Sequence, residues 1–568
     1  MVTRGPSTCP IRRAAPRRPA VAWVLVASSL GPTLAAAATL EEEARHYRIV
    51  TIAAPAAIRE SRDTAWKAPP GGPVLEVSGI AVSADPRAPA PLAVATRRGE
   101  IWLVDDGGVD GSAAGGPGAA GDVHTGPSAP PRRAVGYRLF AAGLHEPLGL
   151  EWRDGAYLTA QRGEVTRVAD TDGDGSADDY ATVATGWGVT GHYHEYAYGP
   201  KPDGAGRLWV TLNTGLNLKP EHLPATIGNE ALGYAQGRWR GWALTLGDDG
   251  TLEPVCCGLR SPSGLGADAS GAMFCTDQQG NWIAAGSLVH LRRGGFFGHP
   301  ESLASADLPA SPLPTHAPDG TRLLAPVVEG LPWPRAVERM PFLTPPAVWL
   351  PYRKAGQSAT DVCLDASGGR FGPFAGQLFV GEFTQASIHR VFLERVAGEY
   401  QGAVFPFRAG FASAVLRLGQ APDGSLYAGL TNRGWSSLGP AAYGLERLVW
   451  TGVVPFEIRA IRVVHDGFEL EFTRPVDRAA AARPDAYALS SYTYLYHSKY
   501  GSDEIDACTH AVREAAVSSD GLRVRLAVDG LRPLHVHEFD VAGVRSAAGE
   551  PLLHSQAFYT LNRLPPPP

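Results

Sequence analysis

Short apolar stretches alternate with polar turns along most of the chain, and the same order of segments recurs. Each copy has an apolar opening, a turn of the Asp-Gly kind, a strand-forming segment, a polar cluster and a second apolar strand. Helical periodicity is almost absent, which excludes a doubly wound α/β fold. The repeats predict an all-β fold, a six-bladed β-propeller over residues 75–453. The six copies begin at Val77, Gly143, His194, Gly258, Ser358 and Ser413.

The pattern changes after about Pro455. Alternating segments such as "GFELEFTRPVD", "LRVRLAV" and "AFYTLNR" predict a C-terminal immunoglobulin-like β-sandwich over residues 454–568, which ends in a proline-rich tail. We expect the domain boundary between Thr451 and Arg459. His535 and His537 are predicted to lie on a strand rim at the surface. Residues 106–134 are a low-complexity stretch, interpreted as a solvated loop within the propeller.

The N-terminus has a basic leader, an apolar run and a small-residue exit that ends at Ala38. This order is typical of a signal peptide over residues 1–38, followed by a lead-in over residues 39–74. A single-span anchor is the alternative. No later stretch is long and apolar enough to span a bilayer, so we expect a periplasmic or secreted protein without a membrane span after processing.

Composition narrows the class of protein further. The chain of 568 residues is too long for one ordinary core, which favours two or more domains or one large repeat architecture. It is 44% hydrophobic and 19% charged, as in a folded globular protein. Its net charge is −6 and no basic run lies beyond residue 20, so we expect no nucleic-acid partner. The sequence contains no C-x-x-C-H, and we expect no covalently attached haem.

Five cysteines remain after the predicted cleavage, and their odd number leaves at least one thiol unpaired within the molecule. Three arrangements are open for the cysteines of the fourth repeat: a vicinal disulfide, a bond between one of that pair and the third cysteine, or buried free thiols. The five are Cys256, Cys257, Cys275, Cys363 and Cys508.

Polar residues recur at matching positions of the repeats, and in a propeller such positions lie at the same height around the central channel. The stretch "TGHYHEYAYGP" places His192 and His194 in this set. Convergent polar groups predict a binding site, although contacts between blades are the alternative use for them. One ring precedes the apolar openings: Glu76, His145, Glu146, His192, His194, Arg260 and Gln357. A second ring follows the inner strands: Arg97, Arg98, Gln161, Arg162, Asn213, Asp277, Gln279, Glu382, Asn432 and Arg433.

The segment "DTDGDGSADD" predicts a calcium site. Asp170, Asp172 and Asp174 offer carboxylates at alternate positions, and Asp178 is positioned to close the shell. Ala181 stands where an EF-hand has its bidentate glutamate, so we expect a loop-stiffening site between two strands. A solvated acidic turn without calcium is the alternative.

The amino-acid sequences of the repeats resemble those of a known superfamily. "GLRSPSGLGADASG" and "SLVHLRRGGFFGHP" are similar to the glucose/sorbosone dehydrogenase superfamily, soluble six-bladed quinoproteins that oxidise sugars. "DTDGDGSADDY", "HEYAYGP", "FGPFAGQLFVGEFT" and "TNRGWSSLG" resemble the propeller portion of planctomycete-type membrane-bound, haem-binding dehydrogenase proteins. That resemblance spans the chain from about Tyr47 to the C-terminus.

The resemblance implies an exported oxidoreductase that acts on a sugar or small polyol with pyrroloquinoline quinone and calcium. His194 or His192 falls on the catalytic histidine, Arg260 on the quinone-binding arginine and Gln279 on a glutamine contact. The sequence departs from the family at Ser261, which replaces an asparagine, and at Thr384, which replaces a lysine. The paired arginines before the last Pro-Asp-Gly turn are reduced to Arg417.

On this interpretation His194 removes a hydroxyl proton while hydride leaves to an electron acceptor. Arg260, Arg98 and Arg433 hold an anionic cofactor or substrate. A separate cytochrome is the expected electron acceptor. Two other classes of function are alternatives. One is a non-catalytic carbohydrate-binding or assembly propeller, and the other is a metal-dependent hydrolase or lactonase that uses Glu76, Asn213 and Glu382.

Overall fold

The computed structural model describes residues 38–52, 72–106, 136–189, 193–214, 237–313, 315–316 and 327–566. The predicted signal peptide, most of the low-complexity loop and His192 lie outside these residues. The described part is mostly β-structure. Among its helices, none is long and apolar enough to cross a membrane.

The first elements of the chain are the short helix α1 (Leu40–Ala44) and the strand β1 (Tyr47–Thr51). Thr39 and Glu42 form a capping box that begins α1: the Thr39 hydroxyl accepts from the Glu42 amide, and the Glu42 carboxylate accepts from the Thr39 amide.

Three four-stranded antiparallel sheets follow, each a meander in chain order. Sheet 1 comprises β2 (Val77–Val82), β3 (Leu92–Thr96), β4 (Ile101–Asp105) and β5 (Gly136–Ala141). Sheet 2 comprises β6 (Glu151–Arg153), β7 (Ala156–Ala160), β8 (Glu164–Ala169) and β9 (Asp179–Thr185). Sheet 3 comprises β10 (Ala197–Pro202), β11 (Leu208–Leu212), β12 (Trp242–Leu246) and β13 (Leu252–Cys257).

Three further sheets continue the pattern. Sheet 4 comprises β14 (Gly264–Ala267), β15 (Met273–Asp277), β16 (Gly286–His290) and β18 (Val348–Leu350), and between the last two lie β17 (Leu331–Pro332) and the helix α2 (Trp333–Arg339). Sheet 5 comprises β19 (Ala359–Leu364), β20 (Leu378–Glu382), β21 (Ser387–Val396) and β22 (Glu399–Ala409). Sheet 6 comprises β23 (Val415–Gln420), β24 (Leu426–Thr431), β25 (Tyr443–Trp450) and β1, which pairs with β25. The sequence pattern did not predict this last pairing.

Local sequence explains the hairpins and the burial. Asp154 and Gly155 connect β6 to β7 as a two-residue turn with φ of 51° and 81°, the region that a tight hairpin requires. The second strands of the sheets are apolar at nearly every position, and β3, β7, β11, β15 and β20 are buried along their whole length. A strand buried on both faces indicates that each sheet packs between two neighbours.

The first strands of the six sheets contact one another in a closed order. β2 contacts β6, β6 contacts β10, and the order continues through β14, β19 and β23 back to β2. Side-chain hydroxyls join neighbouring sheets across this ring: Ser78 donates to the Pro147 carbonyl at 2.6 Å, and Thr360 donates to the Val415 carbonyl at 2.6 Å. Each predicted repeat contains the first strand of one sheet.

The C-terminal residues form two sheets that pack face to face. One has the order β26 (Ile458–Val464), β27 (Gly467–Phe472), β32 (Arg523–Val528), β31 (Val512–Val517). The other has the order β34 (Gln556–Leu561), β33 (His535–Asp540), β28 (Ala488–Thr493), β30 (Ile505–His510). Phe468 of the first sheet contacts Phe539 and Tyr559 of the second, with ring centroids 5.0 and 5.2 Å apart. The remaining elements are the helix α3 (Arg478–Ala481) and the strand β29 (Leu495–Tyr496).

The second of these sheets is continuous with sheet 5. Gly402, Ala403 and Val404 of β22 pair with Thr560, Tyr559 and Phe558 of β34, so one eight-stranded sheet crosses the predicted domain boundary. The residues from Ala37 onward form one compact unit. The boundary between Thr451 and Arg459 stays a prediction, and the shared sheet means that the two parts do not meet as separate surfaces.

The structure shows the state of the cysteines and the burial of two histidines. All five described cysteines are free thiols, so neither disulfide considered for the fourth repeat forms. Cys256, Cys257 and Cys275 are buried among apolar side chains, and burial raises their pKa values above the ordinary thiol range. The surface assignment of His535 and His537 is wrong, because both are buried where β33 lies between β28 and β34.

Candidate functional site

A cavity of about 420 Å³ lies at one end of the ring of first strands. Five of the six sheets line it with residues that follow their second strands, as the sequence pattern predicts. Among the described lining residues there are three arginines and one histidine but no aspartate or glutamate. The polar lining includes Arg97, His194, Asn213, Arg260, Ser261, Gln278, Gln279, Gln357 and Arg433, and the aromatic lining includes Tyr193, Tyr196, Tyr198, Tyr352, Phe383, Trp435 and Tyr500.

Arg260 is the cavity residue whose charge is least compensated. Its side chain is 6% exposed, and its guanidinium makes no hydrogen bond or ion pair with the residues that the structure describes. One face of the guanidinium lies over the Tyr500 ring, with Cζ 5.4 Å from the ring centroid. The other neighbour is the backbone of Gly280, where a Cβ would lie 2.0 Å from Nε. Burial lowers the pKa of Arg260, but an arginine still carries its charge at neutral pH.

The backbone that carries Arg260 is fixed by Asp277, at the end of β15. The Asp277 carboxylate accepts from the amides of Arg260 at 2.9 Å and Ser261 at 2.6 Å, and also from Gln278 at 3.0 Å. Burial raises the pKa of Asp277 to about 6, although these amides and Arg260 favour its ionised form. Asp277 therefore holds the loop in place and does not line the cavity.

Two other residues of the predicted second ring have the same structural role. The Glu382 carboxylate, at the end of β20, accepts from the amides of Gln357, Ser358 and Gln385, and burial raises its pKa. Gln161, after β7, accepts from the His145 amide. Neither lines the cavity, so each braces the loop that leads into its own first strand.

Two arginines of the second ring share one carboxylate. Arg97 Nη2 lies 2.6 Å from Glu146 Oε1, and Arg162 Nε donates to Glu146 Oε2 at 2.7 Å. Both guanidinium groups also lie over the Tyr196 ring, at 5.4 and 4.5 Å from its centroid. Arg97 reaches the cavity wall, whereas Arg162 stays behind it. Each of the two therefore has an ion-pair partner, in contrast to Arg260, although the single carboxylate compensates only one of their two charges.

His194 lies half-buried on the cavity wall, in the turn that leads into β10. Its ring makes an edge contact with Tyr193 at 5.0 Å between centroids, and Tyr196 lies at 6.4 Å. The aromatic neighbours restrict the imidazole to an orientation on the wall. His192, the other predicted catalytic residue, lies outside the described residues.

Arg417 and Tyr198 close the inner end of the cavity. Arg417 is buried and donates to the carbonyls of Ser78 at 3.0 Å and Leu148 at 3.2 Å, so it joins three sheets at the centre of the ring. Its guanidinium lies 5.6 Å from the Tyr198 ring centroid. Burial raises the pKa of Tyr198 to about 12, which keeps its phenol neutral. Arg417 has a structural role and leaves Tyr198 as the polar group on the floor.

The remaining predicted cofactor contacts divide into two groups. Asn213, Gln279 and Arg433 line the cavity, and Arg433 also pairs with Glu76 at 2.8 Å. Arg98 follows β3 and Asn432 follows β24, but neither side chain lines the cavity. Asn213 donates to Ser261 at 3.1 Å, while its buried Oδ1 has no described partner. Oγ1 of Thr384, the family's lysine position, is likewise buried without a described partner.

The predicted calcium loop joins β8 to β9. Oxygens of Asp170, Asp172 and Asp174 lie within 4.8 Å of one another, the spacing of a group that could hold a metal ion. Asp170 also accepts from the amides of Gly173 and Gly175, at 2.7 and 2.8 Å, which fixes the turn. Asp178 is not part of this group, because its carboxylate accepts from the amide and hydroxyl of Thr171.

Three residues could not be found from the repeats. Tyr500 reaches the cavity from the segment between β29 and β30, far outside the predicted propeller. Tyr352 follows β18, and Trp435 lies in the loop after β24. Exposed aromatic residues in loops were the signal available in the sequence, but only the structure shows that these share one cavity.

No family model and no curated protein matches the chain. Solved structures to which the chain is similar include the oxidoreductase (glucose dehydrogenase) of Thermus thermophilus, at 17% identity, covering 71% of this chain and 100% of that one, with a TM-score of 0.40. The quinone-bound aldose sugar dehydrogenase of Streptomyces coelicolor has 12% identity, covers 71% and 98% of the two chains, and has a TM-score of 0.39. The apo aldose sugar dehydrogenase of Escherichia coli has 13% identity, 71% and 99% coverage and a TM-score of 0.39.

Proposed function

We propose that the protein is an oxidoreductase that acts on a sugar or small polyol, built as a six-bladed β-propeller with a C-terminal immunoglobulin-like sandwich. The six sheets and their closed ring of first strands support the propeller. We further propose export to the periplasm or the outside of the cell, on the strength of the N-terminal sequence pattern. The observation that carries the functional proposal is the unpaired, buried guanidinium of Arg260 in the same cavity as His194.

An unpaired buried cation is unfavourable unless a ligand compensates it. The Tyr500 ring lies over the Arg260 guanidinium, and the Gly280 backbone lies close to its Nε and Cζ. Because the guanidinium makes no hydrogen bond with the described residues, its N–H groups remain for a ligand. Guanidinium groups bind planar carboxylates through two parallel hydrogen bonds. Arg260 therefore fits an anionic ligand with carboxylate groups.

Pyrroloquinoline quinone is such an anion, and the residues present fit it at this end of the cavity. Arg260 would hold a carboxylate, and Asn213 and Gln279 offer amide groups beside it. When bound, the quinone supplies an acceptor for two electrons. The described lining contains no carboxylate, so any metal beside it would depend on neutral oxygen ligands. We place the proposed calcium ion in the loop of Asp170, Asp172 and Asp174.

The protein's own residues have separable tasks in this reaction. His194 accepts the proton of the substrate hydroxyl through its imidazole, while the carbon that bears this hydroxyl loses hydride. The aromatic wall of Tyr193 and Tyr196 orients the imidazole and limits access of water. Gln357 is placed on the wall to hold hydroxyl groups of the substrate. A separate cytochrome remains the proposed final electron acceptor.

Two of the metal ligands that the hydrolase alternative needs, Glu76 and Glu382, are bound to other groups in this structure. Glu382 accepts from three backbone amides and Glu76 pairs with Arg433, so neither joins Asn213 in a metal-binding group among the described residues. The non-catalytic sugar-binding module is favoured by the aromatic lining and remains the second candidate.

The test begins with the purified wild-type protein, pyrroloquinoline quinone and calcium. We expect bound quinone absorbance after gel filtration and reduction of a dye across part of a sugar and polyol panel. Arg260→Ala should lose the bound absorbance, while Arg98→Ala, an exposed arginine outside the cavity, should retain it. A wild type without bound quinone and without redox activity on any sugar or alcohol contradicts the oxidoreductase and leaves the binding module.

A further inference from the structure

The mouth of the cavity is bordered by four exposed aromatic side chains, which we call the aromatic rim: Tyr193, Tyr352, Trp435 and Tyr500. They are 52%, 36%, 58% and 60% exposed. The described residues contain only two other exposed large aromatic side chains, Tyr180 and Tyr443, and neither lines the cavity. Exposed aromatic surface concentrated at one place indicates a contact surface for a ligand.

The rim residues come from separate parts of the chain. Tyr193 precedes β10, Tyr352 follows β18, Trp435 follows β24, and Tyr500 lies between β29 and β30. No single hairpin or hydrophobic run brings them together. Their convergence is a property of the folded protein, and it extends the binding surface outward from His194 and Arg260.

Backbone hydrogen bonds hold the Tyr500 segment of the rim in place, and its ring, which is 60% exposed, contacts Arg260 on one face and leaves the rest of its surface for a ligand. The Gly501 amide donates to the Gly280 carbonyl at 3.0 Å, and the Ser502 amide donates to the Ala284 carbonyl at 2.9 Å. Asn281 Nδ2 donates to the Ser498 carbonyl at 3.0 Å. Tyr500 is therefore fixed to the loop after β15. Pre-positioned rings lose little conformational freedom on binding, which favours affinity.

The chemistry of the rim and of the cavity suits a carbohydrate chain. A sugar ring has an apolar C–H face that can lie on a flat aromatic ring, while its hydroxyl groups need hydrogen-bond partners at its edges. Arg433 lines the cavity close to Trp435 and offers donors at those edges, whereas Arg353 lies over the Tyr352 ring, with Cζ 5.1 Å from the ring centroid. The mouth is concave and opens into a cavity, whereas a protein partner would favour a broader, flatter surface.

We propose that the aromatic rim is a binding site for oligosaccharides, with the terminal sugar unit in the cavity near His194 and the following units stacked on the rim. This proposal rests on the proposed function, because it names the substrate class of the same site. That class is chains of sugars rather than free monosaccharides. Tyr500, from the C-terminal part, would be a specificity-determining residue for these chains.

The test measures binding by calorimetry without quinone or electron acceptor, so it does not depend on turnover. The probes are glucose, xylose, cellohexaose, maltohexaose and xylohexaose. We expect wild type to bind at least one hexasaccharide at least tenfold more tightly than its monosaccharide. Trp435→Ala and Tyr500→Ala should each reduce that affinity about tenfold, and Trp435→Phe should restore most of it. Tyr443→Ala removes an exposed aromatic residue away from the cavity and should change nothing.

Equal affinity for monosaccharides and hexasaccharides overturns the proposal, as does unchanged hexasaccharide binding in both alanine variants. Wild type that binds none of the sugars overturns it as well. Melting temperatures identify any variant that fails to fold, and in that case Trp435→Phe and Tyr500→Phe are compared with wild type on the same probes. Hexasaccharide binding without redox activity keeps the rim site and contradicts the oxidoreductase.

Discussion

The Arg260 guanidinium lies over the ring of Tyr500, with Cζ 5.4 Å from the ring centroid. Arg260 precedes the first strand of sheet 4, whereas Tyr500 belongs to the C-terminal part of the chain. The cavity is therefore completed by a residue from outside the repeats. A cation over an aromatic face is stabilised by about 0.5–2 kcal/mol, depending on its desolvation, so this contact helps to hold the guanidinium in place.

The space for Arg260 depends on Gly280. We expect Gly280→Ala to reduce binding of pyrroloquinoline quinone at least tenfold, because the new Cβ would lie 2.0 Å from Arg260 Nε and displace the guanidinium. The backbone of Gly280 is not in the left-handed region, so alanine introduces no backbone strain there. Quinone titration followed by absorbance checks the affinity, and the melting temperature should change little.

Gly163→Ala is the matched control for this substitution. Its Cβ would meet only Val189 Cγ2, at an ordinary 3.7 Å, and Gly163 does not line the cavity. Quinone affinity should be unchanged in this variant. Equal affinity in Gly280→Ala and wild type would show that Arg260 does not need its present position to bind the anion.

The acidic loop should bind calcium and stabilise the fold by mass action. At a calcium concentration one hundred times the dissociation constant, the free energy of unfolding should rise by about 2.7 kcal/mol. Asp172→Asn removes an exposed carboxylate of the predicted group and should abolish most of that gain. Asp248→Asn, an exposed carboxylate outside the group, is the control. Thermal melts with calcium and with chelator check this, and identical melting temperatures with no calcium by elemental analysis would leave a plain acidic turn.

A buried histidine should make the stability depend on pH. His554 lies 2.6 Å from Glu457 and 3.2 Å from Glu43, and Arg408 pairs with the same Glu43 at 2.9 Å. Burial alone would lower the pKa of His554, but the two carboxylates outweigh it and raise the pKa to about 9. Because the pKa of an unfolded histidine is about 6.5, this stabilisation is complete below that pH and is lost as pH rises through about 9.

Denaturant unfolding at several pH values measures this effect. We expect the free energy of unfolding to fall by up to about 3 kcal/mol between pH 6.5 and pH 9.5, in line with about 1.4 kcal/mol for each unit of pKa shift. His554→Gln should flatten that pH dependence, whereas His465→Gln at the surface should not. A wild-type profile without this decline would mean that His554 is neutral in the folded protein.

Much of the architecture could be predicted because its signal is local. The signals for the Asp154-Gly155 hairpin and for the apolar second strands lie in consecutive residues. Each repeat has a turn and an apolar strand of this kind. The polar residues that follow these strands were predicted from their matching positions in the repeats. Three of them, Asn213, Gln279 and Arg433, lie on the cavity wall. These are periodic features, and periodicity is what sequence patterns report best.

The rest depends on contacts between distant segments. The sequence could not show that Asp277 and Glu382 bind backbone amides rather than a ligand, because the same carboxylate at the same repeat position suits either role. The pairing of β1 with β25 and of β22 with β34, and the approach of Tyr500 to Arg260, join residues more than 150 positions apart. Such contacts are fixed only by packing of the whole chain.

His194 should be needed for turnover more than for binding. His194→Gln should lower kcat by about 10²–10⁴, the usual contribution of a general base, with a much smaller change in KM. Proton removal is required only in the transition state, so ligand affinity measured without turnover should stay within a fewfold of wild type. His145→Gln, outside the cavity lining, is the control. A His194→Gln variant with full turnover would keep the enzyme and discard this mechanism.

The eight-stranded sheet predicts how the two parts of the chain respond to a cut between them. A specific protease site placed at the exposed Gly452–Val453 bond lies within the predicted boundary. We expect the cleaved halves to remain associated on gel filtration, because β22 and β34 pair along three residues and Gln401 accepts from the amides of Asn562 and Arg563 at 2.9 and 2.8 Å. They should unfold in one transition, and Gln401→Ala should lower the midpoint of that transition by leaving the buried amide of Asn562 without its partner. Gln385→Ala, whose amide group bonds the Arg353 carbonyl at an exposed position, is the matched control. Halves that separate without denaturant would show that the pairing of β22 with β34 does not hold the C-terminal part, and with it Tyr500, to sheet 5.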